Sequence, residues 1–295
     1  MSDRSRVAHD ACSVMKVSQL KTATSFSDID WSQRWYDAIR PAALAAELTT
    51  VRDTDAWLAN LNQRATQLQL QNHRGLPLHF VPQVALPADM AYESFISATG
   101  GVPTRHNLHD FFNALVWLSF PQIKRQLNAL QAAQIEAMGV TATRGHARDA
   151  ATIFDENAAL LVVQRGQVGS DWVDALRQHQ WQQVLYAQRA MLGQQVEVWS
   201  FGHALMEKLV RPYKAITAHA WLLMVDADFF ELPPAQKATF LDTLVAQQLA
   251  RQSLHTKDYT PLPVLGVPGW WSNQDVAFYA DTSVFRAKRA ESARA

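Results

Sequence analysis

Apolar residues recur at helical spacing along most of the chain and at strand spacing in a few short places. Trp31, Trp35, Ile39 and Leu44, preceded by the cap residues of Asp28-Ile-Asp30, predict a first helix. Trp57, Leu58, Leu61 and Leu68 predict a second, from about Asp53 to Leu70. Gly75-Leu-Pro77 interrupts that period, and Leu78-His-Phe-Val81 has strand character. Helical spacing returns at 89–98 and 107–119, and Pro121 suits the first turn of a helix reaching about Met138. Ser170-Asp-Trp172 starts another helix with an acidic first turn.

In Thr152–Val163 two apolar runs flank Asp155-Glu-Asn157, which predicts a hairpin with those polar residues at its turn, although the same residues also allow a helix. Val196–Phe201 alternates like a strand and leads through Gly202 into a short helix, His203–Val210. Trp221–Val225 is a further strand, and Pro233-Pro234 opens an amphipathic helix to about Ser253. Prolines from 261 to 268 forbid regular helix there and leave an apolar extended arm ending at Trp270-Trp271. These elements predict a helix-dominated α+β fold. One large domain over residues 29–290 carries a small β-sheet and the extended C-terminal arm. The polar residues 1–28 read as a disordered or loosely docked tail. No internal repeat is visible.

Composition supports a large interior: 48% of residues are hydrophobic and 18% charged, the latter below the ~25% usual for soluble domains. The 27 basic and 27 acidic residues cancel, so the whole chain lacks a nucleic-acid footprint, which leaves only a local basic patch open. A single cysteine, Cys12, excludes an intrachain disulfide and a thiolate metal cluster. No run approaches the ~18 apolar residues that span a bilayer, and no signal core is seen. The expectation is a soluble cytoplasmic protein, with no membrane partner and no other partner signature.

Candidate chemistry concentrates in Val102–Pro121. The helix there is apolar nearly all round, yet at about 100° per residue His109, Asp110 and Asn113 share one sector. His203 and Glu207 stand four apart on a second helix. Imidazole and carboxylate one turn apart can chelate a divalent cation, which makes His109, Asp110, His203 and Glu207 the metal-ligand candidates. Asp155 and Glu156, on the predicted turn, would add a ligand or a general base, with Asn113 and Arg148 completing the catalytic set. Mixed imidazole and oxygen donors favour zinc, manganese or iron over calcium. The test is proximity: His109 and His203 must converge within about 5 Å, given metal–nitrogen lengths of ~2.0–2.1 Å.

This is the pattern of a metal-assisted hydrolase. A plainer alternative is a non-catalytic binding or assembly protein, in which the same groups satisfy one another in the core and Asp110 pairs with Arg105 or Arg148. In that case the tryptophan-rich arm is anchored by burial or offers a partner surface. A nuclease-like phosphodiesterase is a third reading, from the basic bias of Arg105, Lys124, Arg125, Arg144, Arg148 and Arg165, but no Asp-His strand precedes them. Nucleophile-elbow, Walker and dinucleotide-binding glycine patterns are absent.

Several motifs also occur in a characteristic order. They are Leu108-His-Asp-Phe-Phe-Asn-Ala-Leu-Val-Trp117 with Phe120-Pro121 and Lys124, Arg148-Asp149, Phe154-Asp-Glu-Asn157, Gly202-His-Ala-Leu-Met-Glu-Lys208, Pro263-Val-Leu-Gly-Val-Pro-Gly-Trp270, Phe278-Tyr279 and Val284-Phe-Arg286. Together they resemble the bacterial domain of unknown function family 3025, over roughly residues 30 to 290. The resemblance implies one continuous domain in a cytosolic bacterial setting. It brings no catalytic role, cofactor or partner with it.

Overall fold

The computed structural model describes residues 25–49, 54–138 and 146–288. The expectations for the tail up to residue 24, for Cys12 and for Arg144 lie outside them. From Ser25 the chain is docked: Phe26 stacks on His106 with ring centres 4.7 Å apart. The expected single helix over Trp31–Leu44 is instead a 3-10 turn, Arg34–Tyr36, followed by α1 (Arg40–Ala45). Pro41 is the reason, because it has no amide hydrogen to continue a helix and a fixed φ suited to starting one. Leu44, expected inside, is 58% exposed.

Helix α2 (Thr54–Gln67) buries Trp57, Leu61 and Ala65, and its Asn62 side chain bonds both backbone groups of Phe80. That contact sets the edge of β1 (His79–Pro82), which pairs in parallel with β2 (Gly101–Thr104). Between them runs α3 (Tyr92–Thr99), closed by Gly100 at φ +75°, where a Cβ would lie 2.3 Å from the Pro77 carbonyl oxygen. Strand β2 was not expected: Gly100, Gly101 and Pro103 erase its local signal, and only the partner strand reveals it.

Helices α4 (Leu108–Ser119) and α5 (Pro121–Met138) follow as predicted. The first amides of α5, those of Gln122 and Ile123, donate at 3.1 and 2.9 Å to the buried Asp242 carboxylate of α10 (Pro234–Arg251). This anchor fixes the rotation of α5 and so the direction of Lys124, one residue on.

The predicted hairpin at Thr152–Val163 is not formed. Asp155, Glu156 and Asn157 end α6 (His146–Asn157), which passes directly into β3 (Ala158–Gln164). Ala150, Ala151, Phe154 and Asp155 are buried at helical spacing, whereas Ala158–Val163 is buried throughout, as in a central strand covered on both faces. The chain continues through α7 (Gln167–Arg177), β4 (Val196–Ser200), α8 (His203–Lys208), β5 (Thr217–Val225) and α9 (Asp228–Glu231) to α10. Beyond α10 come β6 (Thr260–Pro263) and α11 (Val276–Tyr279). The larger sheet has the order β4-β3-β5-β6, with β3 and β5 parallel and both outer pairs antiparallel.

The C-terminal arm is therefore the outer strand β6, a place where Pro261 and Pro263 need not donate to a ladder, followed by a 3-10 turn at Val264–Gly266. Trp270 is buried, with its ring centre 6.4 Å from that of Trp35. One apolar cluster extends from Ile29 to Phe285, so the fold is helix-dominated α+β around a shared core.

One close approach positions the functional region. At Gly202, between β4 and α8, a Cβ would lie 2.4 Å from the Glu156 carbonyl oxygen and 2.5 Å from the Asn157 amide nitrogen. Glycine lets the start of α8 sit against the end of α6, which brings His203 to Asp155.

Candidate functional site

Every residue of α4 from Asp110 to Leu118 is buried, as the all-round apolar pattern predicts. Asn107 caps the helix by accepting the Asp110 amide at 2.8 Å. Asp110 itself turns back to Arg105: Oδ2 accepts the Arg105 backbone amide at 2.7 Å and Nε at 2.9 Å, and Oδ1 accepts Nη2 at 3.0 Å. Both its oxygens serve the entry to the helix.

His109 points the other way, toward α8. Its Nδ1 is 3.0 Å from Glu207 Oε2, and its Nε2 is 3.1 Å from His203 Nε2. The rings stand nearly perpendicular, with centres 4.5 Å apart. Beyond His203, Asp155 Oδ2 is 3.9 Å from Nδ1, too far for a direct bond. The Asp155 backbone near the ring raises its pKa slightly, against the larger effect of burial, without forming a well-aligned hydrogen bond to that nitrogen. A carboxylate thus stands behind each imidazole while the two Nε2 atoms face one another. The His109 side chain is 35% exposed and that of His203 only 6%, so the pair leads from the surface inward.

These surroundings displace the two rings in opposite senses. The hydrogen bond to Glu207 raises the His109 pKa most, with help from the charges of Glu207, Asp110 and Glu156, against some loss by burial. Burial lowers that of His203 to about 4; Asp155 resists this, while Lys124 and His109 add to it. The cationic form of the pair therefore has one proton arrangement that suits both contacts of His109. His109 donates from Nδ1 to Glu207 and from Nε2 to His203, and His203 keeps its own proton on Nδ1, facing Asp155.

Behind the pair lies a buried ion pair. Lys124 Nζ is 2.5 Å from Asp155 Oδ1 and 2.8 Å from Asn113 Oδ1, and it sits 5.3 Å from the centre of the Trp117 ring. Asn113 donates to the Tyr92 hydroxyl at 2.9 Å. Burial is the largest influence on Asp155 and pushes its carboxyl up, but Lys124, His203 and His109 together outweigh it and hold the group low. Alongside, Asn128 donates to Glu93 at 2.7 Å, and burial raises the Glu93 carboxyl.

The structure brings together His109, His203, Glu207 and Asp155, with Asn113 joined through Lys124. The remaining candidates stand apart. Asp110 belongs to Arg105, Glu156 is exposed and acts on His109 by charge alone, and Arg148 lies on the Glu93 side. Asp155 is buried in a helix, not displayed on the exposed turn expected of it. Among the described residues, no group of three or more His, Cys, Asp or Glu side chains is placed to hold a metal ion. Lys124, Tyr92, Glu93 and Asn128 were missed as site members. A signal existed for two of them: Lys124, Asn128 and Gln131 follow helical spacing on the same buried stripe of α5 as Ile123 and Leu127.

Residues 78–289 match the family model described as Protein of unknown function (DUF3025). The chain belongs to the DUF3025 family. Searches of curated proteins and of solved structures give no match. The segment shared with DUF3025 carries both histidines, Glu207 and the whole buried chain from Asp155 to Tyr92, whereas Trp31, Trp35 and Tyr36 precede it. Among the described residues of this DUF3025 protein, no helix is long and apolar enough to cross a membrane.

Proposed function

We propose that this DUF3025 protein is an enzyme working by general acid–base catalysis, with hydrolysis as its reaction class and with His109 Nε2, released from His203 when substrate or water takes its place, as the atom that exchanges a proton. The carrying observation is the Nε2-to-Nε2 contact of two imidazoles whose pKa values are driven apart. Such divergence separates an acid from a base within one site. His203 is the positioning partner that accepts from protonated His109, and Asp155, held by Lys124, keeps negative charge behind it. No serine, threonine or cysteine among the described residues hydrogen-bonds either ring, so water is the nucleophile this site would activate.

A metal-assisted route would use the same two Nε2 atoms. It is favoured by the carboxylate behind each ring, a common companion of metal-bound histidine. It needs a third ligand, since Asp110 and Glu207 are engaged elsewhere.

Hydrolysis of p-nitrophenyl acetate separates these readings from a structural role. The acid–base account expects His109→Gln to slow it about tenfold or more, with no change on chelation. A rate lost with chelator and restored by zinc would favour the metal route. Equal metal content in wild type and a His203→Ala/Glu207→Ala double variant would count against that route. Equal rates for wild type and His109→Gln would contradict the proposal.

A further inference from the structure

A concavity distinct from the histidine pair lies where the Arg34–Tyr36 turn, the residues following α8 and the segment 269–272 meet. It encloses about 510 Å³, within the range of roughly 300–1,000 Å³ common for small-molecule sites. Trp35, Trp270 and Trp271 form its aromatic side, and Asp30, Gln33 and Ser272 its polar side. Tyr36, also in the lining, connects the cavity to the two helices that carry the histidines. Its hydroxyl donates to the Met206 carbonyl at 3.2 Å, and its ring stacks on Phe112 at 5.6 Å with planes 7° apart. Phe112 follows His109 by one turn of α4, and Met206 follows His203 by one turn of α8. The cavity and the histidine pair are thus backed by the same two helices, and Leu209, in the cavity wall, comes two residues after Glu207.

We propose that this cavity binds a neutral saccharide ring and, resting on the acid–base reading above, holds the non-reacting part of the substrate. Asp30 is the one charged side chain among the lining residues, and Arg40 acts on it by charge while the Arg34 guanidinium reaches the Gly269 edge, so the acid is already offset and a neutral polyol needs no further countercharge. Two Asp30 contacts are already made to Ser32 and one to Gln33, leaving acceptor capacity for a hydroxyl. Gln33 and Ser272 both donate and accept, as a polyol requires. Half-buried Trp271 offers ring surface on which the less polar face of a sugar can lie.

The test follows the indole N–H resonances of the full chain by NMR during titration with maltotriose, cellotriose and chitotriose. Choline chloride and inorganic phosphate serve as contrasting probes. Saturable movement of the Trp35, Trp270 and Trp271 signals is expected with at least one trisaccharide and with neither contrasting probe. Trp271→Ala should abolish it, and Gln33→Ala, a milder change, should weaken binding by about tenfold. No movement with any of the three sugars, movement that survives Trp271→Ala, or movement with choline or phosphate instead would overturn the proposal. His109→Gln should bind the sugar normally, so loss of binding and loss of acid–base activity are scored separately.

Discussion

Lys124→Met is expected to cost about 3–5 kcal/mol of unfolding free energy, because it strands a buried carboxylate without its partner. The side chains concerned are 4% and 11% exposed, so water cannot replace the amine. Asn113 loses its donor at the same time, which adds to the cost. A Lys124→Met/Asp155→Leu double variant should recover most of the loss, since removing both charges also removes their burial cost. Urea unfolding measures this cycle. A single variant costing under about 1 kcal/mol would mean that the pair behaves like a surface ion pair.

The second large effect depends on pH. His203 has a folded pKa of about 4 against an ordinary value of 6.5. In that window the unfolded chain binds the proton more readily than the folded one. Stability from neutral His203 is therefore present above pH 6.5 and is lost as pH falls toward 4. The gap corresponds to about 3 kcal/mol, at ~1.36 kcal/mol for each pH unit. His109, Asp242 and Glu93, whose carboxyl is raised by burial, act in the opposite sense. His109, with its raised pKa, contributes fully below its unfolded value and loses that contribution as pH rises through the folded one. Buried Asp242, raised to about 6, binds a proton more readily when folded and so favours folding as pH drops from 6 toward 3.8. The raw profile of the wild type mixes these terms, so the informative quantity is its difference from His203→Gln. That difference should shrink by about 3 kcal/mol between pH 7 and pH 4. A flat difference would place His203 in contact with water.

Much of this site could be read from periodicity. His109 with Asn113, and His203 with Glu207, are helical neighbours, and an apolar sector around them implies burial. The link between the two helices depends on long-range packing. Gly202 permits it by admitting the end of α6, and nothing local announces that role. The same junction explains the misread hairpin. Leu160–Val163 looks like half of a local turn, but its partners Val196–Ser200 and Thr217–Val225 lie far along the chain. Asp110 shares the polar sector of α4, which gives it the look of a ligand. A difference of one residue turns it about 100° from His109, enough to direct it to Arg105. Lys124 could have been anticipated from its place on an apolar stripe, where a lysine needs a buried partner.

The acid–base proposal stands on two joined imidazoles that differ in protonation, one held by Glu207 and the other enclosed. Nitrogen-15 NMR of the imidazole rings, followed through a pH titration of wild type and Glu207→Gln, tests it most directly. His109 should titrate above 6.5 and move down in the variant, while His203 stays neutral, with its proton on Nδ1, to below pH 5. Two independent titrations near 6.5, unaffected by the loss of the Glu207 charge, would contradict it.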